Sequence, residues 1–478
     1  MRHYWTRFSL LYLPTIIYML QGSDYRPKEY IAWLHRTSDF RGVMRRKKLD
    51  YTKKAKLLLA VASVIVLASL VLTIFLVFLS IDSANLLLAA LAILLFVISP
   101  LIVAYGIVPP LWLGRTYIQE PSQRKMIKAA GQIFANHPAF KVAVAGSYGK
   151  TTAKDILRTV IGEGRKVAYT PGNMNTLVGI SRFAQSLKGD EEVIIFELGE
   201  EKMGDVRELC DLVCPDIGVI TGINEAHLSS FGTLERTVST IFELKDYLGD
   251  KPLYKNYESS LVATKNNHKD KLSFSRDGTN GWRVRDVAID IHGTTFTIAK
   301  RKKKMSVHTG LLGKHNIGML AVAVDIADSL GLTRVQIAAG IEKTMPFEHR
   351  MQPRNLAGAW VIDDTYNGNS QGVSVGLELI QALKAKRRIY VTPGLVEQGD
   401  KTREIHQEIG RRIAQVADVV VLMNNSVTEY ILTGLQEASF DGKLLLIDDP
   451  LEFYTNLDHF VASGDVVLMQ NDWTDNYA

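Results

Sequence analysis

The sequence predicts an α/β protein preceded by a two-helix hydrophobic hairpin, and three observations carry that reading. Beyond about residue 136, short β-branched runs alternate with amphipathic helical periods, the pattern of parallel α/β sheets. One of those runs, in KVAVAGSYGKTTAKDIL over 141–157, ends in a glycine turn followed by a helix start. Upstream, LLLAVASVIVLASLVLTIFLVFLS over 57–80 and LLLAALAILLFVISPLIVAYGIV over 86–108 contain no charged residue. The 478 residues exceed one ordinary domain, and 47% hydrophobic with 22% charged residues excludes a disordered chain.

The N-terminal elements come first. Each apolar run is long enough to cross about 30 Å of hydrocarbon as a helix. Arg36, Arg41, Arg45, Arg46, Lys47, Lys48, Lys53, Lys54 and Lys56 precede the first run and Arg115, Arg124 and Lys125 follow the second, whereas the connecting IDSAN has no cation. The positive-inside rule therefore puts both ends of the hairpin in the cytoplasm, beside a lipid bilayer. That basic cluster accounts for much of the net charge of +6 without a nucleic-acid partner. Residues 8–21, FSLLYLPTIIYMLQ, are short and contain Pro14; an interfacial or re-entrant helix and a third crossing are both open. No small-residue cleavage site follows, which speaks against a signal peptide.

The strand candidates then run 142–145, 193–196, 217–221, 360–363, 388–391, 419–423, 444–447 and 466–469, with a helical period over 405–417. The interval 251–304 reads instead as strands and hairpins, with Lys300–Lys304 (KRKKK) a solvated tip. Cys210 and Cys214 are the only cysteines, too few for a disulfide scaffold or a four-thiolate zinc site. They share one helix face if 208–213 is helical, and read as inert, reduced thiols.

The glycine turn departs from the standard phosphate loop, which has four residues before Gly-Lys; Gly146 and Gly149 enclose only Ser147 and Tyr148. Backbone N–H groups and a helix N-terminus still converge there. Lys150 would neutralise phosphate charge, and a threonine hydroxyl would hold Mg²⁺. An ordinary strand-turn-helix remains the alternative from these residues alone.

Seven stretches appear in order: GSYGKTT, YTPGNMNTLVGISRF, FELGE, ITGINEAHLSSFGTLE, LLGKHNIGMLAVAVDIA, HRMQ and DDTYNGNSQG. Together they resemble the Mur ligase family, nearest to its D-alanyl-D-alanine-adding branch, over roughly 136–470. The apolar runs make 1–135 a membrane-anchoring region, and the resemblance implies a central P-loop-like ATP-binding domain over 136–345 and a C-terminal Rossmann-like domain over 346–478. It implies that Gly146, Ser147, Gly149, Lys150, Thr151 and Thr152 cradle ATP, that Thr151 and Glu197 hold one Mg²⁺, and that His227 helps hold a second. It sets His315 and Asn316 at the base, Arg350 at phosphate across the domain interface, Asp364 at the ribose, and Asn173, Asn175, Tyr366, Asn367 and Asn369 near substrate.

Family members also carry a carbamylated lysine after the His-Leu motif; Ile241 stands at that place here, and Lys245 lies one helical turn on. The implied catalytic set is thus Lys150, His227, Arg350 and Lys245. Plainer roles stay open: a structural cap for Glu197, a loop hydrogen bond for His227, a helix cap for Asn316, turn formation for Tyr366, Asn367 and Asn369, a structural Asp363, and pairing of Lys245 with Glu243 or Asp246.

The implied activity is ATP- and Mg²⁺-dependent amide-bond formation between a peptidoglycan precursor and an amino acid or dipeptide, at the cytoplasmic face of the cell membrane. A lipid-linked acceptor, or a non-catalytic nucleotide-binding scaffold, are the alternatives. Two departures bear on the acceptor. The membrane hairpin stands where the family has a UDP-gripping domain, and MQNDWTDNYA over 469–478 replaces a Lys-Gly-Ser-Arg-like stretch.

Overall fold

The computed structural model describes residues 12–23, 25–36, 49–172, 174–224, 231–264, 272–366, 368–395 and 398–471. The chain divides into two compact units, 1–125 and 126–478.

In the first unit, α1 (Tyr12–Gly22) and α2 (Pro27–Arg36) precede two long helices, α3 (Lys53–Asp82) and α4 (Leu86–Gly106). Thr52 starts α3 by accepting the Ala55 N–H at 3.1 Å, and Asn85 starts α4 by accepting the Leu87 N–H at 2.9 Å. Ile16, Ile17, Leu20 and Tyr30 pack against Leu58, Ala62, Val103 and Ala104, and the Tyr30 hydroxyl donates to the Ala104 carbonyl at 3.0 Å. The eleven described residues of α1 span about 16 Å, and residues 8–11 of the expected N-terminal segment lie outside the described residues. Above that packed base α3 and α4 are apolar all round: Leu67, Phe78 and Phe96 are 61%, 65% and 57% exposed.

Helix α5 (Glu120–Asn136), which enters the second unit from residue 126 on, leads into a ten-stranded mixed sheet. Its strands are β1 (Phe140–Ala145), β2 (Val167–Tyr169), β3 (Val193–Glu197), β4 (Ile217–Ile220), β5 (Leu253–Asn256), β6 (Ser273–Ser275), β7 (Gly278–Thr279), β8 (Trp282–Asp290), β9 (Gly293–Lys300) and β10 (Lys303–Thr309). The spatial order is β10-β9-β8-β7-β6-β5-β4-β1-β3-β2. Neighbours from β2 to β6 pair parallel, and those from β6 to β10 antiparallel. Strand β1 is apolar on both faces: Val142 and Val144 enter one core with helix α6 (Lys150–Ile161), and Ala143 and Ala145 enter another with α7 (Asp205–Val213) and α8 (Leu234–Leu248). Helix α9 (Ile317–Ser329) is buried along its length.

A second sheet is built from β11 (Gln352–Leu356), β12 (Ala359–Asp364), β13 (Arg388–Thr392), β14 (Val419–Met423), β15 (Lys443–Ile447) and β16 (Val466–Gln470), in the order β11-β12-β16-β13-β14-β15. All neighbours are parallel except the β11 edge, and α10 (Ser370–Ala382) and α11 (Thr402–Ala414) pack on one face. The α/β expectation holds, and each of the eight strand candidates forms a strand within two residues of its expected bounds.

Two details differ. The KRKKK tip is only partly solvated, because Lys300 and Lys303 fold back onto Asp325 and Asp328 of α9. Cys214 is not helical: it ends α7 with φ +53°, while Cys210 is buried, which pushes its thiol up to about 12.

Candidate functional site

In the central sheet β1 lies between β3 and β4, so its outgoing loop opens where the connections diverge, at the carboxyl ends of the strands. Gly146 takes φ +144°, and a Cβ there would sit 2.2 Å from Thr221 Oγ1 and 2.9 Å from the Gly222 carbonyl, so no larger residue fits. The Ser147 N–H donates to the Gly222 carbonyl at 2.8 Å, which ties the loop to the turn after β4. Gly149 (φ +74°) begins α6 with no side-chain cap, leaving its first N–H groups for an anion. The Ser147 hydroxyl is buried and unpartnered, another donor directed inward. These features fit a phosphate group.

Glu197 ends β3 opposite Val144. Its Oε1 accepts from Thr151 Oγ1 at 3.3 Å and from Asn175 Nδ2 at 3.4 Å. Lys154 Nζ, which donates to the Gly172 carbonyl at 2.7 Å, lies 2.9 Å from Glu197 Oε2 at an angle that makes an ion pair but no hydrogen bond. The hydroxyl and carboxylate side by side, with Oε2 lacking a donor, fit a hard divalent cation. Among the described residues no three His, Cys, Asp or Glu side chains form a metal cage.

A cavity of about 230 Å³ extends from this loop between the two sheets of the second unit. Gly149, Thr152, His315, Asn316, Arg350, Asp364, Tyr366 and Asn369 all line it. His315 is walled in beside Arg276, and its imidazole is pushed down to about 4, chiefly by desolvation, so it is neutral near pH 7. Asn316 donates to the Leu312 carbonyl at 3.2 Å and does not cap α9. The Arg350 guanidinium stacks 4.5 Å from the Tyr366 ring centre. Asp364 is raised to about 6 by burial, against a hydrogen bond from Gln470 Nε2 at 2.8 Å and one from the Met351 N–H at 3.3 Å. Asp363 instead accepts from the Thr365 hydroxyl at 2.7 Å and pairs with His349 Nδ1 at 2.9 Å, a turn-forming role. Asn369 caps α10 through the Gly372 N–H at 2.9 Å while also lining the cavity.

Asn175 and Lys245 do not line this cavity. Asn175 faces Glu197 and holds the Gly199 N–H through its own carbonyl at 2.8 Å, which puts it at the metal-type pair. Lys245 is not brought to Glu197. It stands in the last turn of α8, and Leu244 and Leu248 beside it lie over Gly218, at the start of β4, on the sheet edge opposite the strand ends. Ile241 is fully buried in the core, and Glu243 accepts the Gly204 and Arg207 N–H groups at 2.8 and 2.9 Å. Helix α8 ends beside the start of β4, so Lys245 stands one turn nearer that end of the strand than Ile241 does. Asn173, His227 and Asn367 lie outside the described residues.

Several side chains at the site were not singled out from the sequence. Glu200 binds Lys150, Lys154 binds Glu197, Tyr148, Asn256, Phe274 and Arg276 line the cavity, and Gln470 holds Asp364. Lys154 carried a signal, since four residues after Lys150 is the same helix face. Gln470 and Asn471, in the departing C-terminal stretch, had none.

Comparison with known proteins agrees with this geometry. The Mur ligase middle domain matches residues 144–327, and the Mur ligase, glutamate ligase domain matches residues 349–470. The UDP-N-acetylmuramoyl-tripeptide--D-alanyl-D-alanine ligase of Bacillus subtilis (strain 168) is 27% identical over 284 residues, 57% of this chain and 60% of the relative. Its Escherichia coli (strain K12) namesake is 25% identical over 57% of this chain and 62% of its own. The chain thus spans about three fifths of the length of these curated relatives. The crystal structure of MurF ligase from Thermotoga maritima in complex with ADP has a TM-score of 0.63 at 26% identity, over 74% of this chain and 81% of that one. MurF from Acinetobacter baumannii shares the fold, with a TM-score of 0.64 at 20% identity over 73% and 77%. With two matches in order that together cover more than half of its residues, the chain belongs to the Mur ligase family.

Proposed function

We propose that this chain is a membrane-anchored, ATP-dependent ligase that forms an amide bond on a peptidoglycan precursor, as the names of its relatives describe for them. One observation carries the reading most: the uncapped N-terminus of α6 opens at Gly149 and Thr152 into the same cavity as Arg350 and Asp364, and the same turn of that helix carries Lys150 and the Thr151 that meets Glu197. The γ-phosphoryl of ATP passes to a substrate carboxylate, giving an acyl phosphate and ADP. An amine then attacks the acyl carbon, and phosphate leaves with the amide formed. Each step gathers negative charge at one point, which Lys150, Arg350 and the helix dipole counter. Thr151 and Glu197 would hold Mg²⁺, which supplies further positive charge to the phosphates; His227 belongs to this proposal as a second metal ligand.

Residues 1–135 form the anchor in this reading, 136–345 the nucleotide-binding domain and 346–478 the domain that closes over it. Support for the anchor is the length and exposure of α3 and α4, whose most apolar 18-residue windows are 6% and 11% buried within the protein. Anchoring favours a lipid-linked precursor as acceptor beside the UDP-linked one. Incubating the purified chain with ATP, D-alanyl-D-alanine and either precursor, then weighing the products, tests this. An amide product on either supports the ligase, its preference names the acceptor, and no product with any amine refutes the activity.

A further inference from the structure

The buried Glu200 has no part in the reaction just described, yet it sits on the residue that the reaction needs most. It follows β3 by three positions in Glu197-Leu198-Gly199-Glu200 and is 5% exposed. The backbone before it is fixed tightly. Gly199 donates to the Asn175 carbonyl at 2.8 Å, and a Cβ on Gly199 would lie 2.9 Å from that oxygen. Both Glu200 oxygens accept from Lys150 Nζ at 2.9 Å, and the Gly146 carbonyl accepts a third hydrogen bond.

An ammonium has three donors. All three are therefore taken by protein acceptors, two of them on one carboxylate. A phosphate arriving in the loop must displace at least one, and it competes with Glu200, charge for charge, for the same cation.

Resting on the reading that Lys150 binds nucleotide phosphate, we propose that Glu200 is a built-in competitor for Lys150, so that nucleotide binding exchanges one anionic partner of this lysine for another. Glu200 thereby weakens binding of phosphate-bearing ligands while leaving nucleoside contacts in the cavity untouched. Glu200→Gln keeps the shape and one acceptor but removes the charge; Glu200→Asp keeps the charge but shortens the reach by one methylene.

The test is the Kd of the full-length chain, purified in detergent, for ATP, ADP and adenosine with Mg²⁺. Glu200→Gln should tighten ATP and ADP by at least about fivefold, the order of one charge-assisted hydrogen bond partly replaced, and leave adenosine unchanged. Glu200→Asp should shift ATP in the same direction by less. Unchanged or weaker ATP binding in both variants overturns the competitor role, as does an equal shift for adenosine, which marks a structural effect. The double variant Lys150→Ala with Glu200→Gln separates this from the underlying reading. If it binds ATP as tightly as the wild type, the loop assignment fails. If it loses ATP while Glu200→Gln alone does not tighten it, only the competitor fails.

Discussion

Lys150 has two duties that pull apart on mutation. As the cation of the loop it meets phosphate, and as the partner of buried Glu200 it neutralises a carboxylate that burial otherwise pushes up. Lys150→Ala should therefore lower turnover by at least about a hundredfold and also lower the melting temperature by a few degrees, since it leaves a buried charge alone. Adding Glu200→Gln should restore the melting temperature and not the turnover. Steady-state kinetics and thermal melts check both halves.

Asp364 offers a test by pH. Its carboxyl is raised to about 6, so acidification below that value protonates the acceptor expected to meet the ribose. Nucleotide affinity should fall as pH drops from 7 to 5, and more in the wild type than in Asp364→Asn, where protonation of the ligand is all that remains. The same shift has a defined sign for folding. The native state keeps the proton longer than the unfolded chain, so Asp364 favours folding at low pH and loses that contribution as pH rises between about 4 and 6. Titrating nucleotide binding and thermal stability of both proteins measures the two effects.

Helix α8 shows what an element decides that a spacing cannot. Lys245 is one turn from Ile241, but the helix descends from the loop after β4 to the edge where β4 begins, and that turn sets Lys245 nearer the start of the strand. Lys245→Ala should accordingly retain most activity, within about twofold, and added short-chain carboxylates should not change it. A large loss restored by carboxylate would return the carbamate to the metal.

Elements of strong period were legible in the sequence: the strands around Val142–Ala145 and Val419–Met423 are continuous apolar runs, and glycine at 146 and 149 marked the loop. What escaped were contacts made across the chain. Gln470 reaches Asp364 from the last strand, and Arg276 bridges Glu258 and Glu378, each at 2.8 Å. No periodicity announces such pairs, because they depend on the order of strands in space. Asn175 was legible as part of the stretch YTPGNMNTLVGISRF but not as a neighbour of Glu197, which required the β2–β3 pairing.

For the molecule as a whole, the two units call for separate tests. A cysteine placed at Ser83, in the turn between α3 and α4, should react with an impermeant reagent added outside intact cells, and one placed at Ser306 on β10 should not. Labelling at Ser306 but not at Ser83 would reverse the orientation. The decisive measurement concerns catalysis: phosphate release by the full-length chain with ATP and Mg²⁺, in the presence of a precursor carboxylate, an amine, both or neither. Release should require both substrates and match the amide formed one for one. Release that ignores the amine and the carboxylate, or none under any combination while ATP still binds, would contradict a ligase.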